Sequence, residues 1–167
     1  MNTSRNWWLA ALAVIVIVVI GAVIYEASAP GVATAPAANA DQAVRDAVTG
    51  FGKELQMVSL LAPDAGQTIQ TDYAPYVAPE LLSVWVSDPA EAPGRTTSSP
   101  WPDHIDITSA ALSADGSYAV AGNVIEMTSD EVEHGGSAGS YPVTMTLENR
   151  SGTWLITNFS GYPEGGA

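Results

Sequence analysis

The sequence contains no cysteine. That absence excludes a disulfide framework, a zinc–thiolate site, an iron–sulfur cluster and a thiol nucleophile. It also closes the lipoprotein route, which attaches acyl chains to a cysteine. Cations are scarce: Lys and Arg together number 5 against 18 Asp and Glu, a formal net charge of −13. Binding to nucleic acid by phosphate neutralisation needs clustered Lys and Arg, so that class is set aside. The same shortage argues against docking on anionic lipid. There are two histidines, His104 and His134, and no internal repeat.

What is present begins with a long apolar run. From Trp7 to Tyr25 there is no charge, and Val, Ile, Leu and Ala dominate. As a helix it would be roughly 28 Å long, close to the ~30 Å hydrocarbon core of a bilayer. Arg5 precedes it and Glu26 follows it, so the N-terminus is expected in the cytoplasm and the bulk of the chain outside. Trp7, Trp8 and Tyr25 stand at the two ends, where amphipathic rings favour the interface. A cleaved signal peptide is the alternative. Its apolar core is usually shorter, and Pro30 directly after Ala27-Ser28-Ala29 makes a poor cleavage site. Residues 1–25 are therefore read as a cytoplasmic stub and transmembrane helix. Residues 26–40, with Pro30, Gly31 and Pro36, read as an Ala/Pro-rich stalk without a helix.

Residues 41–167 are long enough for one core. A helix is expected from Asp41 to about Leu61, with Val44, Ala47, Val48, Phe51, Leu55, Val58 and Ala62 on one stripe. Gly50 and Gly52 weaken it, which suggests close approach of another element. Met57, Leu60 and Leu61 widen the apolar face and predict cover on more than one side. A second helix starts at Pro63-Asp64 with Asp64 as cap, and a third at Pro79. Residues 88–102 form a long loop with four prolines, which Trp101 is expected to pin to the body. Period-two patterning then predicts strands at His104–Leu112, Ser117–Thr128, Ser140–Asn149 and Thr153–Ser160. Asp115-Gly116 and Asn149–Gly152 are turn sequences, and residues 130–139 read as a mobile acidic loop. In the last strand Trp154 and Ile156 are expected on one face, Leu155 and Phe159 on the other. Helices followed by a four-stranded antiparallel meander make an α+β domain.

The amphipathic first helix, the two short helices and the ending Tyr141–Thr157, with its Gly152-Thr-Trp154-Leu-Ile156 segment, resemble the nuclear transport factor 2-like, cystatin-like superfamily. That resemblance covers about residues 41–162 and implies a curved sheet wrapped on a long helix, with a pocket between them. The whole chain is also similar to small membrane-anchored bacterial proteins.

Catalytic residues are not identified. The weak candidates are His104 and Asp106, two apart on one strand and so on one face, with Asp103 pointing the other way. If that face lined a pocket, Asp106 would orient His104 as a general base, as in pocket enzymes of the resembled superfamily. If it faces solvent, Ile105 and Ile107 face the core. Ligand-binding candidates are Arg95, Tyr73 and Trp101. Arg95 in the long loop either pairs with Asp88, Glu91 or Asp103 or presents its fork to a carboxylate ligand. Tyr73 and Tyr76 are spaced to line a pocket mouth or to enter the core. His134, among Asp130, Glu131 and Glu133, lacks the spacing of a calcium loop, and neither a metal nor a cofactor is expected. Asn149-Arg-Ser and Asn158-Phe-Ser match the glycosylation sequon by chance. The expected function is a non-catalytic, single-pass envelope protein that binds a protein partner, a small ligand or a further copy of itself. The alternatives are a small isomerase or hydrolase using His104 and Asp106, and a structural subunit of a secretion or conjugation complex.

Overall fold

The computed structural model describes residues 34–161, with side chains from Asn39 onward. The expected membrane segment Trp7–Tyr25 lies outside the described residues, as does the first part of the stalk. Among the described residues no helix is long and apolar enough to cross a membrane. The chain divides into two units at Ala38/Asn39, and the residues described below from Asn39 onward belong to the second.

Helix α1 spans Thr34–Glu54. Residues 34–40, expected to lack a helix, are thus helical. Pro36 does not prevent this, because it falls in the first turn, where a backbone N–H has no intrahelical acceptor to lose. Val44, Val48, Phe51 and Leu55 form the expected stripe and are fully buried. Each such side chain stabilises the fold by about 1.5–3 kcal/mol. The helix ends at Glu54, short of Leu61. The chain then turns through residues 55–57, and its backbone pairs with another segment: Arg95 N–H donates to Val58 O at 2.8 Å, and Leu60 N–H donates to Arg95 O at 2.9 Å. Those bonds outcompete continued helix.

Helix α2 (Ala65–Tyr73) starts after Asp64, whose carbonyl, not its side chain, receives the first helical bonds. Helix α3 (Pro79–Ser87) has Pro79 in its first turn, where proline is suited. Ala65, Ile69, Tyr73, Leu82 and Trp85 are their buried residues. A single 3₁₀ turn, Pro89–Glu91, follows. Four antiparallel strands complete the domain in the order β1-β2-β3-β4: Trp101–Leu112, Tyr118–Met127, Gly139–Arg150 and Thr153–Ser160. The β1–β2 turn is closed by Asp115, whose carboxylate accepts from Ser117 N–H at 3.0 Å and Ser117 O–H at 2.7 Å. The β3–β4 turn is closed by Asn149 Oδ1, which accepts from Gly152 N–H at 2.9 Å.

Residues 130–139 are not simply a loop. Ser129–His134 forms the short helix α4, capped by Thr128 and Glu131 in a reciprocal arrangement. Thr128-Ser-Asp-Glu131 is a capping-box sequence, so the helix start was readable.

One face of the sheet carries Ile105, Tyr118, Val120, Val124, Val143, Met145, Leu147 and Ile156 into the core. Bulges alter the expected alternation in three places, at Asp103, Thr108 and Thr157. Leu147 pairs with Ile156 but Thr146 pairs with Asn158, so Thr157 is an extra residue. The bulge turns Phe159 to the inner face, contrary to the simple period-two expectation, and its ring packs against Phe51 and Trp85. Both sheet edges are covered in part. Tyr76 and Ala78 exchange backbone bonds with Ile156 on β4, and α1 lies against Ile105 on β1. Such cover removes exposed donor and acceptor rows.

Between α1 and the sheet the interior is packed with aromatic rings. Phe51 has Tyr73 at 4.9 Å, Phe159 at 5.8 Å and Trp85 at 6.2 Å between ring centroids. The glycines beside it permit this closeness. A Cβ on Gly52 would stand 2.9 Å from the Ile105 backbone nitrogen, and one on Gly50 would stand 2.5 Å from the Tyr76 ring.

The Gly52→Ala variant should therefore be destabilised by about 1–3 kcal/mol in urea unfolding, although alanine is the better helix former by about 1 kcal/mol. Gly50→Ala should cost less, because the half-buried Tyr76 ring can move and a strand backbone cannot. A Gly52→Ala protein more stable than wild type would show that α1 does not press on β1.

Candidate functional site

Three regions carry the residues singled out in the sequence: the start of β1, the loop before it, and the turn after α1. At the start of β1, Pro102 pairs with Glu126 and His104 with Ile125, which leaves Asp103 as a bulged residue. Asp103 does not point away from His104. Its carboxylate lies 2.8 Å from His104 Nδ1, while Asp106 lies 3.4 Å from Nε2. The imidazole sits between two carboxylates, and its side chain is 41% exposed.

His104 pairs across the strands with Ile125, and Asp106 with Asn123, whereas Ile105 pairs with the fully buried Val124. His104 and Asp106 thus share the sheet face away from the core. Together with Thr49 and Lys53 of α1 and Gln56 of the turn after it, they line an open groove of about 680 Å³ along the β1 edge. A general base needs one nitrogen free toward a substrate in a place that excludes water. Here the second nitrogen faces Asp106 and the groove is open. The arrangement suits a polar surface better than acid–base chemistry.

Tyr73, expected among the ligand-binding residues, belongs to α2. It is fully buried, and its hydroxyl donates to Pro93 O at 2.6 Å. Tyr76 is half-buried at the edge of the core. Trp101 does not pin the long loop in the manner expected. It starts β1 opposite Met127 and is only half-buried. The loop is fixed earlier, where Ala92, Pro93 and Gly94 are buried, Tyr73 holds Pro93, and Arg95 is bonded through its backbone to Val58 and Leu60. The signal for this was the pair of small residues and proline before Arg95, not the tryptophan after it.

Arg95 is half-buried, and its side chain forms no salt bridge among the described residues, so Asp88, Glu91 and Asp103 are not its partners. Beside it the turn after α1 departs from expectation. Met57 and Leu61 are not covered: they are 63% and 78% exposed. The sequence placed them on a widened helix face, but the helix has ended, and the backbone pairing with Arg95 turns them outward. Leu60 is half-buried, in reach of Gly94.

His134 contacts only its own helix, with Asp130 O at 3.0 Å and Asp130 Oδ1 at 3.1 Å. Among the described residues no three His, Asp or Glu side chains are grouped to hold a metal ion. Glu131 is held below the usual carboxylate range by the Thr128 hydroxyl and then by the Thr128 N–H. Asp115 is lowered by the Ser117 hydroxyl and backbone N–H.

No protein-family model matches the chain, and no curated protein matches it. Among solved structures, the intermembrane-space region of the chloroplast protein ARC6 is similar over 74% of this chain and 93% of that one, at 19% identity and a TM-score of 0.40.

Tyr73→Phe should cost about 1–3 kcal/mol by leaving the Pro93 carbonyl without its hydroxyl donor. Trp101→Ala should cost less than half of Trp85→Ala, for which a core ring predicts about 3–5 kcal/mol; equal costs would return the anchoring role to Trp101. For the two lowered carboxylates, the folded pKa lies below the unfolded one. Their contribution is present above the unfolded value and is lost as pH falls through the folded value. Glu131→Gln should therefore be less stable than wild type near pH 7, and the two denaturation curves should converge as pH falls below 4.5, the ordinary value of a glutamate.

Proposed function

We propose that this is a single-pass envelope protein, with its N-terminus cytoplasmic, whose domain outside the membrane binds a protein partner and does no chemistry. The apolar run Trp7–Tyr25 after Arg5 supports the anchoring and its direction. The filled interior around Phe51 and the solvent-side position of His104 and Asp106 weigh against a pocket enzyme.

One observation carries the binding role. Met57 and Leu61, two large apolar side chains four residues apart, stand in water on a turn whose backbone is bonded to a second segment. Scattered single apolar residues on a surface are ordinary, but an ordered display of neighbouring ones marks a contact surface. These backbone bonds also fix the turn, which lowers the ordering cost of association.

A photo-reactive amino acid placed at position 57 or 61 of the full chain in its native membrane should give an adduct with one discrete protein, and one at Thr71 should not. Leu61→Ser should remove the adduct formed from position 57 and shift stability by less than about 0.5 kcal/mol. Absence of any adduct from both positions would overturn this reading.

A further inference from the structure

With no cysteine in the chain, sulfur chemistry falls to its methionines. A thioether takes up one oxygen from a two-electron oxidant. Three methionines lie among the described residues, in three different settings. Met145, on β3, is 3% exposed and belongs to the core. Met127 is half-buried at the end of β2, opposite Trp101 of β1. Met57 is 63% exposed on the turn after α1. Oxidation follows access to the sulfur, so the order of reaction is Met57, then Met127, then Met145.

Exposure alone would make Met57 a place of damage. The backbone around it keeps the fold independent of its side chain. Leu55 and Val58, on either side of it, are fully buried. Met57 N–H donates to Glu54 O at 3.0 Å, Val58 N–H donates to the same oxygen at 3.3 Å, and Val58 O accepts from Arg95 N–H at 2.8 Å. None of these bonds uses the thioether. A sulfoxide at Met57 would meet water and disturb no packing. One at Met145 would set a polar S–O group between Val120 and Phe159, its partners across the sheet.

We infer that Met57 is a reversible oxidation site, and that its sulfoxide switches off the apolar contact made by Met57 and Leu61 while the fold stays intact. The switching rests on the reading of that pair as a contact surface. In the forward step a sulfur lone pair attacks one oxygen of hydrogen peroxide. An S–O bond forms, the O–O bond breaks, and the other oxygen leaves with both protons as water. Sulfur loses two electrons and peroxide gains them. The net charge of −13 discourages an anionic oxidant, whereas hydrogen peroxide is neutral. The product replaces a flexible apolar side chain by a polar, chiral one. A partner seated on Met57 would cover the sulfur, so oxidation acts on the free protein and competes with docking. In the reverse step a sulfoxide reductase removes the oxygen as water while a dithiol becomes a disulfide. A side chain standing in solvent can enter such an enzyme; one in the core cannot.

The full chain, held in phosphatidylcholine nanodiscs, is treated with hydrogen peroxide and its peptides are followed by mass spectrometry. Met57 should oxidise ahead of Met127 and roughly tenfold faster than Met145. When Met57 alone has reacted, the melting temperature should move by less than about 2 °C. The two sulfoxide reductases, one for each sulfur epimer, supplied with dithiothreitol, should then restore the thioether. Equal rates at Met57 and Met145, a larger drop in melting temperature, or a sulfoxide that resists both enzymes would overturn the site. For the switch, Met57→Gln sets a polar side chain there without any oxidant, and the adduct formed from position 61 in the native membrane should fall roughly fivefold. If Met57→Gln keeps that adduct, the switch falls and the contact surface stands. If the wild-type turn gives no adduct, the contact surface falls and the switch with it, and the oxidation rates decide the site by themselves.

Discussion

Phe51 touches rings from three different elements, and it does so because the residues on both sides of it have no side chains. Gly52 lets α1 lie against the backbone of β1, and Gly50 leaves room for the Tyr76 ring. With that closeness secured, Tyr73 of α2, Trp85 of α3 and Phe159 of β4 converge on one point. The helix-weakening glycines cost about 1 kcal/mol each in propensity. The offset is a set of aromatic contacts, each worth about 0.5–1.5 kcal/mol beyond area burial.

The same cluster fixes the surface. Tyr73 is oriented by its ring neighbours, and its hydroxyl then holds Pro93. Pro93 positions Arg95, and the Arg95 backbone binds Val58 and Leu60. This bonding stops α1 at Glu54 and turns Met57 and Leu61 toward water. The proposed docking surface is therefore a consequence of the core, reached in a chain of direct contacts from Phe51 to the exposed turn. The salt bridges matter less to this arrangement. Those of Arg45 and Arg150 lie on the surface, where each contributes about 0–1 kcal/mol.

Much of the fold was legible in order and type of element. The stripe Val44, Val48, Phe51, Leu55 named the buried face of α1, because a 3.6-residue period leaves few alternatives. Pro79 marked the start of α3, and the Asp115-Gly116 and Asn149–Gly152 turns marked two hairpins, because these residues act locally on the backbone. The close approach expected at Gly50 and Gly52 was legible too, although its partners were not. Chemistry that depends on a few adjacent residues can be read without knowing what lies across from them.

What only the tertiary structure decided is where that local logic is overruled. Bulges at Asp103 and Thr157 place Asp103 beside His104 and turn Phe159 inward, because strand alternation assumes one residue per pairing step and an extra residue reverses every later side chain. The end of α1 was set by pairing with Arg95, which also turned Met57 and Leu61 outward, while Tyr73 took its place from its ring neighbours and Trp101 from its pairing with Met127. A side chain's type is written in the sequence, but its exposure is a property of its neighbours, and those neighbours come from segments far along the chain.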